Sequence, residues 1–266
     1  MGFFRTWDET GKNLVDSDYV TFGLIKSGYM TYLTSVEQMQ RRYQNNNDYY
    51  PTGVFDSIHG FSVTAEAPIV FVSGRAILQQ IIRTGNTFTY WYAHASPSAR
   101  YYVFDPMRDM GPGSAKMRLW DDVGVCTLDT AMPFMDIEGS RTATLPSKVN
   151  GVPDGWRGYV GGSTVNWGGR YLLDTLSIPV GGDCAVSNQW SRAMFHTADT
   201  PTVQISAKEG AYGEGGNLVF AMATEAGCHI NPFHKAYFPW TFFDIPTARL
   251  PSASYIDAST LPLPFG

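Results

Sequence analysis

The residues in this chain that could do chemistry fall into a possible metal site, several carboxylate pairs and a set of flat aromatic rings. Cys228, His229 and His234 come closest to a metal site, because the His spacing matches one half of a zinc ligand set. A closed tetrahedral site needs more, and Cys184 would have to arrive from far off in the chain. The stretch reads better as a polar loop whose His side chains bond to backbone. Asp16 with Asp18, and Asp121 with Asp122, are the obvious carboxylate pairs. Glycoside hydrolysis would need such acids about 5–5.5 or 6.5–9.5 Å apart. Both pairs sit beside turn signals, where Asp already has a structural task. Glu209, Glu214 and Glu225 are further acids whose separation in space a sequence does not fix. There is no G-x-S-x-G elbow and no local signature of a catalytic Cys. The run Gly210-Ala211-Tyr212-Gly213-Glu214-Gly215-Gly216 lacks the Gly-Lys-Ser/Thr ending of a phosphate loop and reads as a hairpin loop. The expectation is a chain that is not an enzyme and that takes no cofactor and no metal.

Aromatic rings offer a gentler chemistry. Trp156, Tyr159, Trp167, Tyr171 and Trp190 are the candidates for glycan or receptor contact, since flat apolar faces suit sugar rings and neighbouring polar groups suit hydroxyls. In a chain this rich in aromatics, many such rings are also expected to fill cores.

What must position these residues is a β framework organised around a phrase that occurs twice. Residues 7–16 and 120–129 both fit W-D-[DE]-x-G-x4-D, with Trp7 and Trp120 set 113 positions apart. Each copy predicts a β-hairpin, because Asp bonds its own backbone and Gly accepts positive φ. The spacing points to tandem units rather than a short-period solenoid. Thr87-Phe88-Thr89-Tyr90-Trp91 alternates as a half-buried strand does. Leu218 to Met222 reads as a buried strand, and Ala76 to Arg83 is taken as a strand despite its i,i+4 apolar pairs. A strand pair turning about Ser27-Gly28 is expected, followed by a short helix opened by the capping box Ser35-Val36-Glu37-Gln38 and continued by Met39 and Tyr43. Residues 138–155 are the best linker candidate.

The fold expected is therefore all-β, with at most one or two short helices and tandem β-sandwich-like units, each opened by a W-D-x-x-G hairpin. Residues 1–110 would form the first unit, and 111–266 the second, larger one with an extended Pro-rich tail. That tail, Leu261 to Gly266, is expected to fray or to lie against a neighbouring subunit.

Composition narrows the partners. Charged residues make up 16% of the 266, against about 25% in soluble domains, while aromatics reach 14%. A surface so poor in charge suits a protein partly covered by neighbours. Net charge is −5 and no basic cluster exceeds Arg41-Arg42, so nucleic acid is not an expected partner. No run of apolar residues is long enough for a transmembrane helix, and the start carries no signal-peptide core, so no membrane insertion is expected. Cys126, Cys184 and Cys228 are odd in number and widely spaced, which favours buried free thiols over disulfides.

The two hairpin phrases, with the strand Arg100-Tyr101-Tyr102-Val103-Phe104-Asp105 that precedes the second, resemble tail-tip and tail-fibre-associated structural proteins of long-tailed, siphovirus-like bacteriophages. In that family such a hairpin opens the chain and a second copy follows a strand ending Tyr-Val-Phe. The resemblance covers the hairpins and the joining strand and has no counterpart for residues 150–266. It implies a component of the virion tail, synthesised in the host cytoplasm. It further implies a homo-oligomer, a trimer in particular, that contacts other tail proteins and a receptor or glycan on the host cell surface. A virion-borne glycan hydrolase or depolymerase and a stand-alone carbohydrate-binding module are the alternatives.

Overall fold

The computed structural model describes residues 5–7, 9, 11, 13–16, 20–44, 48–111, 117–164, 172–197, 203–232 and 240–266. Among them the chain forms 23 strands and no helix. Nineteen strands join in one mixed sheet, and the other four make two separate ribbons. The first ribbon pairs Arg5–Trp7 with Asn13–Asp16, and the second pairs Arg118–Trp120 with Cys126–Asp129.

Several inner strands hold the sheet together because both of their faces are buried, three of them over most of their length. In Arg100–Pro106, Tyr101 and Val103 enter one apolar cluster while Tyr102 and Phe104 enter another. Ile69–Ser73 does the same with Val72 and Phe71. Asn217–Thr224 sends Val219, Ala221 and Ala223 one way and Leu218, Phe220 and Met222 the other. Side chains alternate along a strand, so a continuous apolar run is what burial on both faces requires.

Pairing and packing run across residue 110. Val72 pairs with Val186, Ser73 with Gly213, and His229 and Ile230 with Met39 and Gln40. The cluster of Phe61, Ile77, Tyr90 and Tyr101 is completed by Leu172, Tyr212 and Val219. Leu24, Phe71 and Phe104 likewise pack with Ala185 and Ile256. At the joint, Gly213 has no room for a side chain, because a Cβ there would run into the Cys184 carbonyl.

Several expectations need correcting. The expected helix from Ser35 to Tyr43 is instead mostly strand, Thr31–Arg41, paired with Tyr49–Thr64. The Gln38 that would close a capping box instead donates to Asp56 at 2.9 and 3.1 Å. Cross-strand partners thus override the local signal. No turn forms at Ser27-Gly28; Phe22–Tyr29 runs straight through and pairs with Arg100–Pro106. Gly28 is small for another reason, since a Cβ would stand 2.9 Å from the Tyr101 hydroxyl.

The linker candidate 138–155 is also part of the sheet. Gly139–Thr142 pairs with Ser252–Asp257, and Pro146–Lys148 with Gly155–Tyr159. Nor does the C-terminal tail leave its own chain. Phe265 bridges to Ser27, and Leu261, Leu263 and Phe265 pack on the cluster around Leu24 and Phe104. The outer edge of Phe22–Tyr29 offers free backbone groups, and the tail satisfies them there. The 3 cysteines are free and buried, as expected.

Candidate functional site

A cleft of about 290 Å³ opens where the two parts of the chain meet. Its floor is apolar, formed by Val36 and the fully buried Ile58 of the long paired strands Thr31–Arg41 and Tyr49–Thr64. Gln79 and Gln80 come from Ile77–Thr84, and Trp91 from Thr87–Ala93, which pairs with it. The far wall comes from the second half: Ser206, the turn Glu225-Ala226-Gly227, and His229.

Specific bonds hold that turn in place. Asp56 accepts the Gly227 N–H at 2.9 Å, and Gln79 Oε1 accepts the Ala226 N–H at 3.0 Å. Gly227 has φ +66, and a Cβ on it would collide with the Val36 side chain, so glycine lets the turn close onto the strand. Ser206 Oγ accepts the His229 N–H at 3.1 Å, and the His229 ring stacks on Tyr49 with centroids 4.7 Å apart. The Lys208 ammonium donates to the Gln79 carbonyl at 2.8 Å. Burial lowers the Lys208 pKa, and the nearby Glu225 carboxylate pulls it partly back. Gln80, Glu225 and His229 keep side-chain polar groups for a ligand.

The aromatic candidates fare differently. Tyr159 is buried and its hydroxyl donates to Glu209 at 2.5 Å, so it offers no open face. Trp156 is half-buried with the Lys148 ammonium 5.0 Å from its ring centre. Trp190 is half-buried beneath the Arg249 guanidinium at 5.4 Å. Trp167 and Tyr171 lie outside the described residues. None of the three described rings lines the cleft, which uses Trp91 instead. The one sequence signal for Trp91 is an aromatic on the face that carries Thr87 and Thr89.

The other acids have structural partners or separate places. Asp121 Oδ1 accepts the N–H groups of Val123 at 3.0 Å and Val125 at 2.8 Å, the turn role expected of it. Asp18 lies outside the described residues. Glu209 makes a two-pronged pair with Arg192, both bonds 2.8 Å, with both side chains buried. Asp174 is buried behind Gly158 and accepts the Tyr159 N–H at 2.6 Å. Burial pushes its carboxyl up to about 6, against hydrogen bonds that pull it down. Glu214 lines a different opening, beside the Arg100–Asp183 pair at 2.6 Å. Of the metal candidates, Cys228 is buried and His234 lies outside the described residues.

Comparison with protein-family models, with curated proteins and with solved structures gives no match to this chain.

Proposed function

We propose that this chain is a structural component of a long-tailed bacteriophage tail tip or tail fibre. It is made in the host cytoplasm, built into the virion tail as a trimer, and serves tail assembly and adsorption to the host cell. Its two ribbons open two β-sandwich-like parts, 1–110 and 111–266, that are built into one shared sheet.

The observation that carries this reading is the common register of the ribbons. Arg5, Thr6 and Trp7 pair with Asp16, Val15 and Asn13; Arg118, Leu119 and Trp120 pair with Asp129, Leu128 and Cys126. Both registers shift just before the Trp, and Gly11 and Gly124 have φ of 84° and 86°. A repeated phrase that folds twice the same way is a part used twice.

The second ribbon is also equipped for contact. Its base is tied down where the Thr21 N–H donates to the Thr127 carbonyl at 3.1 Å. Beyond it Trp120, Val123 and Val125 stand exposed, Val123 by 79%. Tyr32 and Phe55 on the long paired strands are exposed as well. Apolar side chains held out on rigid ribbons suit burial against neighbouring subunits, the kind of surface obligate assemblies use.

Light scattering of the purified chain, followed by electron microscopy of particles that contain it, tests the reading. A mass of three chains and density at the distal tail are expected. A lasting monomer that releases new reducing ends from host polysaccharide would overturn it.

A further inference from the structure

We propose that the cleft between Trp91 and His229 binds a neutral sugar ring. A pyranose has apolar C–H faces and a rim of hydroxyls, so it needs an apolar wall beside groups that both donate and accept. Trp91, with Val36, supplies the wall. The Gln80 amide gives and takes hydrogen bonds, the Glu225 carboxylate takes hydroxyl protons, and the His229 ring can do either.

Charge selects the class of sugar. Among the described residues the lining contains a carboxylate and neither Lys nor Arg. Lys208, behind the lining, is bonded to the Gln79 carbonyl at 2.8 Å. A sialic acid or a phosphorylated sugar would bring its charge beside the Glu225 carboxylate, with Lys208, outside the lining, as the cation that interacts with Glu225.

The walls are preformed. Gln79 is fixed at both ends of its amide, by the Ala226 N–H at 3.0 Å and the Ile77 carbonyl at 3.1 Å. Asp56 holds Gly227, and Tyr49 backs the His229 ring. Little ordering remains to be done on binding. At about 290 Å³ the space is at the small end for ligand sites, fit for a terminal ring rather than a long chain. The inference rests on the adsorption reading for the source of the sugar, a host surface polysaccharide, while the binding itself depends only on the cleft.

The test is saturation-transfer NMR and calorimetry on the full chain. The probes are the methyl glycosides of glucose, galactose and N-acetylglucosamine, with N-acetylneuraminic acid as the acidic comparison. At least one neutral glycoside should bind with Kd on the order of 1 mM. Trp91→Ala should weaken it about two- to tenfold, as expected for loss of one ring contact. Because Trp91 also lies in a paired strand, Gln80→Ala and Glu225→Gln at the rim provide a second readout, and both should reduce binding in a folded protein. No binding by any neutral glycoside, a preference for the acidic sugar, or binding untouched by both rim variants would overturn the proposal. The trimer and tail measurements are separate, so a failed sugar test leaves them standing, and a monomer that binds sugar separates the two in the other direction.

Discussion

Ser27 and Phe265 exchange backbone hydrogen bonds in both directions, at 2.9 and 3.2 Å, and the Ser27 hydroxyl donates to Pro262 at 2.5 Å. Beside them, the Leu24 N–H donates to Pro133 and the Met135 N–H to Phe22, at 2.7 and 2.9 Å. Two short pieces of the second half thus cover the outer edge of Phe22–Tyr29. Phe265→Ala should lower stability by about 1–2 kcal/mol, the share of a half-buried aromatic. Deleting residues 261–266 should cost more. Chemical denaturation measures both, and an unchanged midpoint in the deletion would mean the tail is not part of this fold.

The Arg192–Glu209 pair should behave as a buried unit. Glu209→Leu alone strands the guanidinium, leaving it one long bond to the Pro246 carbonyl at 3.4 Å. A loss of about 3–5 kcal/mol is expected. Joining Arg192→Met to it should recover part of that loss, though Tyr159 would still lack its acceptor at a cost of about 1–3 kcal/mol. Urea titration of each single variant and the double completes the cycle, and simple additivity would contradict the coupling.

Asp174 ties stability to pH. Its folded-state pKa of about 6 lies above the ordinary 3.8 because burial disfavours the charged form. A raised pKa contributes stability that is complete below about pH 3.8 and is lost as pH rises through about 6. Asp174→Asn cannot titrate, so the melting temperature of the wild type should fall relative to that variant between pH 4 and 7 (roughly the span of the two pKa values). Parallel melting curves across that range would show that this carboxyl is not responsible.

Gly213→Ala should be among the most damaging small changes. The added methyl would meet the Cys184 backbone, and the Gly74 N–H already donates to the Gly213 carbonyl at 2.7 Å. Overpacking of this kind costs about 1–3 kcal/mol or more. Gly215→Ala at the exposed turn serves as the comparison, with a smaller penalty expected from its positive φ alone. Equal melting temperatures for the two would count against the tight joint.

The class of fold was legible because burial writes a period on strands. Thr87–Ala93 and Asn217–Thr224 are legible from alternation and from an apolar run, and Ile77–Thr84 from its β-branched content despite its helical spacing. The helix expected at Ser35 failed because Ser-x-x-Gln is a local signal, while Gln38 answers to Asp56 across a strand pair. Ser27-Gly28 looked like a turn because close approach by a tyrosine and positive φ both select glycine. The cleft was illegible for a different reason. Gln80, Trp91, Glu225 and His229 lie on separate stretches and meet only through long-range pairing, which no spacing rule encodes.

The clusters that draw on both sides of residue 110 have a consequence for a broken chain. Neither piece, once separated, could cover Phe61, Tyr101, Tyr212 and Val219 by itself. Two fragments cut between Met110 and Met117 should therefore seek each other and reassemble without a covalent link, whereas each expressed alone should aggregate. Cohesion between the pieces comes from the interior that they share.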